Sequence, residues 1–445
     1  MRLKFVYAAL AAIPVTLLAF STGPPTKRTG AAIDGGLNCT ACHISFPPAN
    51  SDPRGSVTIA ASSYVPGVTQ TIKVTVQHPE AVRWGFQLTA RPVADPTKQA
   101  GTFTVNDVVR VRCDTTPATD APCNGALEFP EHKSAPFTDA GVGFTFSVDW
   151  TPPATDVGDI VLFAAGNAAN GNGNPLGDRI YTTSKVLASS TACSLTAKPT
   201  IRAVESAASF QSGIAPNSLI TIFGQGFTKS GSTRSAQSFD FVANAYPKQL
   251  GCVAVEIDGQ RVPITYLQSD QINAQAPTTA DLGSVSVKVI LNPDAANQVS
   301  SDAGTVQMQR QMPAFFTFDG KSIAAISGSG TLVANPAVVP GAGPAKPGDV
   351  VSLYATGCGF TNPVYQAGEL PSALATIPPQ FSMTIGGVTL SSADILYAGL
   401  SPGSISGLYQ FNVRIPAAAS DGDVPVVLQV NGAASQSGAT VAVKR

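Results

Sequence analysis

Ala215-Pro216-Asn217-Ser218-Leu219-Ile220-Thr221-Ile222-Phe223-Gly224-Gln225-Gly226 lines up with Lys346-Pro347-Gly348-Asp349-Val350-Val351-Ser352-Leu353-Tyr354-Ala355-Thr356-Gly357. Each copy enters an apolar run through a Pro-x-x turn and leaves it at glycine. Turn residues bounding a short apolar run are the signature of a β-strand rather than a helix. A second matched pair lies downstream, Gln271-Ile272-Asn273-Ala274-Gln275-Ala276-Pro277 with Gln410-Phe411-Asn412-Val413-Arg414-Ile415-Pro416. One supersecondary unit is therefore written twice, with one small insertion between the copies. The expected architecture is two tandem β-sandwich modules, residues 204–313 and 314–445, meeting near Pro313.

Upstream of the repeat the texture is also β. Val57-Thr58-Ile59, Thr71 to Val76, Trp84 to Leu88, Phe144 to Trp150 and Asp159 to Phe163 are apolar or alternating runs, punctuated by Pro66-Gly67 and Pro152-Pro153. Strands at this spacing with no amphipathic helix between them predict a further antiparallel sandwich over residues 57–187. A small-residue linker is expected over 188–203, and residues 22–56 carry no sustained period. The whole chain reads as all-β.

Composition agrees and excludes several function classes. The 445 residues correspond to about three domains. Charged residues make up 12%, and Lys+Arg 27 against Asp+Glu 28 gives a net charge of −1. No clustered basic face is expected, which argues against nucleic acid and against an anionic membrane surface. Gly 41 and Pro 35 make up about one residue in six, beside 44% hydrophobic residues, as short strands and tight turns require.

Met1-Arg2-Leu3-Lys4 followed by the apolar run Phe5 to Phe20 predicts a secretory signal over residues 1–21, cleaved near Ser21. The alternative is an uncleaved anchor, but the run is short for a bilayer span and contains Pro14. No later segment is apolar for long enough to span a membrane as a helix. The chain is expected to be exported and to be periplasmic, surface-bound or secreted. Seven cysteines, at 39, 42, 113, 123, 193, 252 and 358, then face an oxidising compartment, where disulfides are the default. The odd count leaves at least one outside a bridge. Cys252 and Cys358 lie at non-equivalent points of the two repeats, so a bridge between them would staple the modules and leave Cys193 over.

Cys39-Thr40-Ala41-Cys42-His43 is the motif with chemistry. In a C-x-x-C-H stretch two thiols can add to the vinyl groups of haem, and the adjacent histidine can ligate the iron. With 7 Cys and 3 His in the chain, chance placement is on the order of one in a thousand. The alternatives are a local Cys39–Cys42 disulfide, or part of a metal site needing a fourth ligand. The methionines are Met1, Met308, Met312 and Met383, so a second axial ligand near the motif would be His78, His132 or none. His78 reads as the end of a strand and His132 as a loop residue, and lone histidines of this kind are by default surface residues. The Asn167–Asp178 stretch has oxygen side chains at 167, 170, 172, 174 and 178, which could cradle calcium or simply make turns.

Gly23 to Ala31, Cys39 to His43, Arg83 to Ala90 and Ala164 to Gly173 resemble the bacterial choice-of-anchor V domain, a Reeler-like β-sandwich with a C-x-x-C-H segment. The resemblance covers roughly Gly23 to Val186. It implies covalent haem c on Cys39 and Cys42, with His43 as proximal ligand. Glu131-His132 matches a Glu-His pair of that family, which implies His132 as the distal ligand. Cys113 and Cys123 bracket an insertion just upstream of His132 and are expected to pair as a loop disulfide. From Val204 onward the chain resembles the Solibacter-type C-terminal domain, through Ala207 to Pro216, Asp270 to Pro277 and Pro347 to Gly357. That resemblance implies tandem immunoglobulin-like modules and no chemistry. The chain ends Val441-Ala442-Val443-Lys444-Arg445 without a sorting tail, so the modules themselves are expected to attach to the surface.

No nucleophile elbow, zincin motif, phosphate loop or dinucleotide fingerprint is present in the sequence, and an enzyme is not expected. The leading expectation is an exported monohaem c-type electron-transfer protein with a redox partner or a cell-envelope component as partner. The alternative is a haem-free extracellular adhesion or scaffold protein with a Cys39–Cys42 disulfide.

Overall fold

The computed structural model describes residues 21–189 and 193–445. The expected signal segment up to residue 20 and the middle of the expected linker lie outside the described residues. The chain divides into two compact units, Met1–Thr191 and Ala192–Arg445. Among the described residues the only helical elements are three short 3-10 turns, the rest being strands and irregular connections. None is long and apolar enough to cross a membrane.

The first unit holds ten strands: β1 (Ser56–Ala60), β2 (Gln70–Gln77), β3 (Arg83–Pro92), β4 (Thr102–Phe103), β5 (Val109–Cys113), β6 (Thr119–Asp120), β7 (Glu128–His132), β8 (Phe144–Thr151), β9 (Ile160–Ala169) and β10 (Arg179–Leu187). They form two sheets, β1-β2-β8-β4 and β10-β9-β3-β7-β5-β6. Ile72, Val74 and Val76 from one sheet and Trp84, Phe86 and Leu88 from the other are fully or almost fully buried in one core with Phe146 and Trp150. Burying each such side chain contributes roughly 1.5–3 kcal/mol.

Strand β3 departs from simple alternation. Its inward residues Trp84, Phe86 and Leu88 alternate with Gln87, Thr89 and Arg91, yet these polar residues are also buried. Their face of the sheet is covered by the irregular segment 21–54. Gln87 accepts the Arg28 amide through Oε1 at 2.6 Å and donates to the Pro25 carbonyl at 2.9 Å. Arg91 reaches Asp34 at 3.0 Å, both side chains being at most 5% exposed. Farther along, the Asn50 side chain and Thr182 exchange hydrogen bonds. Buried polar groups cost free energy unless paired, and here the covering segment supplies the partners.

In the second unit the repeat is visible strand for strand. Leu219–Gln225 pairs antiparallel with Gln271–Gln275, and Val350–Thr356 pairs antiparallel with Tyr409–Arg414. The equivalent turns close Ser218 onto Ala215 and Asp349 onto Lys346, each at 3.0 Å. Their third residues, Asn217 (φ 61°) and Gly348 (φ 93°), are left-handed, as a Pro-led turn of type II requires. Even a cross-strand contact is kept: Thr221 donates to Asn273 in the first module and Ser352 to Asn412 in the second. Each module buries its own core, with Ile220, Ile222 and Ile272 in one and Val351, Leu353 and Phe411 in the other.

Two disulfides are present. Cys113 and Cys123 are bridged, and so are Cys193 and Cys252, whereas Cys358 is a buried free thiol. The Cys252–Cys358 staple expected from the sequence is thus corrected. Cys252 follows Leu250, opposite the stretch where Asn297 binds the Cys193 carbonyl, and that contact brings Cys193 beside it. Cys358 instead sits in the core of the second module. The two bridges fit an extracellular or periplasmic location.

Candidate functional site

Between the covering segment and the outer face of the six-stranded sheet lies a pocket enclosing about 150 Å³, room for a small ligand rather than a single water. The segment contributes Arg28, Cys39, Cys42 and His43, and the sheet side contributes His132 and Asn167. The pocket therefore brings together all the residues expected from the sequence at the C-x-x-C-H site, His132 included.

Cys39–Ala41 forms one 3-10 turn with Cys42 at its end. Asn38 caps it, accepting the Thr40 amide at 2.9 Å. Sequence explains this local structure: Asn at the entry to a turn satisfies an otherwise orphaned N–H. Both thiols are free, so the local Cys39–Cys42 disulfide considered above is absent. Burial, and secondarily the neighbouring Cys42, pushes the Cys39 thiol up to about 12.

The three histidines share a feature that no sequence signal revealed. His43 Nδ1 meets Asp178 Oδ2 at 2.8 Å, and Asp178 is 3% exposed. With Nδ1–H donating there, the His43 Nε2 lone pair accepts from Asn167 Nδ2 at 3.3 Å. His132 Nδ1 lies 3.1 Å from the Phe86 amide nitrogen and 3.3 Å from the Phe86 carbonyl. Its ring passes so close to Gly85 that a Cβ there would lie 2.9 Å from Cε1, so glycine makes room for it. His78 Nδ1 accepts the Glu80 amide at 3.2 Å while Nε2–H donates to Asp52 at 3.2 Å.

These bonds correct two expectations about position. His132 is not a loop residue but the last residue of β7, and His78 and His132 are buried, at 2% and 6% exposure, not on the surface. Strand β7, Glu-Phe-Pro-Glu-His, was illegible because Pro130 and two acidic residues break any alternation, yet all five residues are buried. Glu131 is held by Arg110 at 2.7 Å and Gln87 at 2.9 Å. Burial outweighs these partners and raises its carboxyl to about 7.

The expected cofactors are corrected as well. Among the described residues no group of three or more His, Cys, Asp or Glu side chains is arranged to hold a metal ion. For covalent haem c, the physical reason lies in the imidazoles. Ring nitrogens of both expected axial ligands face protein partners, His43 the Asp178 carboxylate and the Asn167 side chain, and His132 the Phe86 amide and carbonyl. For calcium, the side-chain oxygens of Asn170, Asn172 and Asn174 are spent on the loop itself. Asn170, Asn172 and Asn174 accept the amides of Asn172, Asn174 and Leu176 in a ladder of Asx turns. The Asp178 carboxylate is taken by His43 and the Asn170 amide.

Two buried polar atoms of the pocket walls have no hydrogen-bond partner, Asn167 Oδ1 and Arg28 Nε. An acceptor and a donor left unpaired in a cavity are where a polar ligand gains most.

No family model matches the sequence, and no curated protein matches it. Among solved structures, the human F-spondin reeler domain is similar at 18% identity with a TM-score of 0.21, covering 31% of this chain and 89% of that one. The SGBP-B protein of the Bacteroides ovatus mixed-linkage glucan utilization locus, in complex with mixed-linkage heptasaccharide, is similar at 13% identity with a TM-score of 0.24. That match covers 90% of this chain and 68% of that one. Likenesses at these scores fix neither topology nor ligand.

Proposed function

We propose that this protein is an extracellular, haem-free, non-catalytic binding scaffold. Its first sandwich offers a preformed polar pocket, and its tandem modules serve as the attachment to the cell envelope. What supports the haem-free reading is that ring nitrogens of His43 and His132 already face protein partners, and that among the described residues no group of three or more His, Cys, Asp or Glu side chains is arranged to hold a metal ion. A rigid pocket with one unpaired donor and one unpaired acceptor suits reversible recognition of a small polar molecule, since little ordering cost remains on binding. The two disulfides suit a protein that works outside the reducing cytosol.

The test begins with intact mass. The full chain, exported from cells able to mature c-type haem, is expected to be colourless and to weigh what the polypeptide alone weighs. A covalent adduct on Cys39 and Cys42 would overturn the reading. The second measurement adds labelled full chain to washed cells lacking their own copy. Saturable surface binding that survives pocket substitution Asn167→Ala is expected, and unsaturable binding would remove the scaffold role.

A further inference from the structure

We propose that Cys39 and Cys42 form a dithiol–disulfide couple that exchanges with exported disulfides and thereby switches the wall of the pocket. The proposal rests on the haem-free reading.

The geometry comes first. Cys42 N–H donates to Cys39 O at 3.2 Å, closing the 3-10 turn. Side chains three apart on such a turn eclipse one another, and the Cα atoms at its ends lie within about 7 Å. Disulfides need a Cα separation of about 4.4–6.8 Å, so closure asks for side-chain rotation rather than rebuilding. Both residues line the same pocket and are partly exposed as whole residues, the Cys39 sulfur itself being desolvated, whereas Cys358 is buried throughout.

The rest of the chain supplies the second argument. Four cysteines are bridged, so this fold is compatible with an oxidising compartment. Three remain free, and of these Cys358 belongs to the core of the other unit. Cys39 and Cys42 are thus the free pair placed within reach of each other. The high pKa of Cys39 agrees with this assignment. A reduced form that gains nothing from thiolate stabilisation leaves the disulfide the favoured state against a mild oxidant, the reverse of a strongly oxidising couple. It also makes Cys42 the attacking sulfur.

Exchange runs in two displacements. The Cys42 thiolate, its proton lost to water, attacks one sulfur of the oxidant's disulfide. That S–S bond breaks and the first oxidant sulfur leaves as thiolate. Cys39, deprotonated in turn, attacks Cys42 Sγ, and the mixed disulfide breaks to release the second oxidant sulfur. Cys39 and Cys42 are together oxidised by two electrons. The oxidant is reduced to two thiols, which take up the two protons released. The pocket then presents a bridged, apolar wall where two S–H donors stood.

The experiment uses the full chain, first shown by mass to carry no adduct, so that failure of the haem-free reading is seen separately. After mild reduction that leaves Cys113–Cys123 and Cys193–Cys252 intact, the protein is treated with oxidised glutathione. A parallel sample receives an oxidised C-x-x-C oxidoreductase, which separates small from protein disulfides as the source. Thiols are then alkylated and mapped. The expected result is loss of alkylation at Cys39 and Cys42 together, an internally linked peptide, and reversal by a dithiol. The rate should rise with pH, because the thiolate is the nucleophile. Cys39→Ser should stop at one glutathione on Cys42, and Cys42→Ser should react about tenfold more slowly at Cys39. Continued alkylation of both residues after either oxidant, or a separate adduct on each without a link, would overturn the proposal.

Discussion

The two units bury polar groups of different kinds. In the first, the buried polar residues include Arg91, Glu128, Glu131, Asp178, His78 and His132. In the second, every buried polar residue among those described is neutral, such as Asn217, Gln275, Thr356 and Ser406. A buried ionisable group is costly unless paired, and a domain carries several only where something other than a core is built. In the first unit Arg91, Asp178 and His78 bind Asp34, His43 and Asp52 of the covering segment, and Asp178 and His132 line the pocket. In the second unit the neutral groups join module to module. Gln275 donates to the Asn217 carbonyl and to Ser406, and accepts the Gly368 amide. Buried charge in the first unit thus gathers at the covering segment and pocket, and buried neutral groups in the second include the contact between its modules.

The largest expected effect breaks the charge side of this comparison. Arg91→Met leaves Asp34 buried without its cation and should lower the stability of the first unit by about 3–5 kcal/mol. Both tryptophans of the chain, Trp84 and Trp150, lie in that unit, so fluorescence-detected denaturation reads it alone. An unchanged midpoint would mean that the segment is not held by this pair. A comparable loss is expected in the other unit when Cys193 and Cys252 are both replaced by serine. The bridge spans 59 residues, for which chain entropy gives about 4 kcal/mol. Circular dichroism should report that loss while the tryptophan transition stays in place.

A smaller effect sharpens the role of Glu131. Its folded pKa is raised from the ordinary value of 4.5 to about 7, so the folded state holds a proton that the unfolded chain has already released. Stability from this group is therefore present below about pH 4.5 and lost as pH rises toward 7, by about 3 kcal/mol. Glu131→Gln should remove that difference, seen as a flatter pH profile of the tryptophan transition. A profile as steep as the parent's would show that burial does not dominate this carboxyl. The smallest effect lies in the second unit. Gln275→Ala leaves the Gly368 amide and the Asn217 carbonyl short of a partner and should cost about 1–3 kcal/mol. If circular dichroism shows the two modules then melting separately, the clasp is what couples them.

Legibility in the sequence differed between the same two regions. The repeats were readable to the strand because each copy is local: a Pro-led turn, an apolar run, and a later partner that pairs with it. The core of the first sandwich was readable for the same reason, through the apolar positions of β2, β3 and β8. Strand β7 was not, since Pro130 and its acidic neighbours look like a loop until a covering segment buries them. The C-x-x-C-H motif was legible as a site, and His132 does reach the same pocket. What was not legible is that the ring nitrogens face Phe86 and the Asn167 side chain, each contributed by a distant strand.

The sequence alone determined the all-β class, the tandem repeat and the location of the closely spaced thiols, because periodicity, turn chemistry and spacing are properties of neighbouring residues. Only the tertiary structure decided what those thiols and histidines can do. Disulfide partners, histidine tautomers and the pKa values of buried groups depend on which atoms distant segments bring within about 3 Å. Cys193 meets Cys252 and Asp178 meets His43 through contacts that no local pattern encodes.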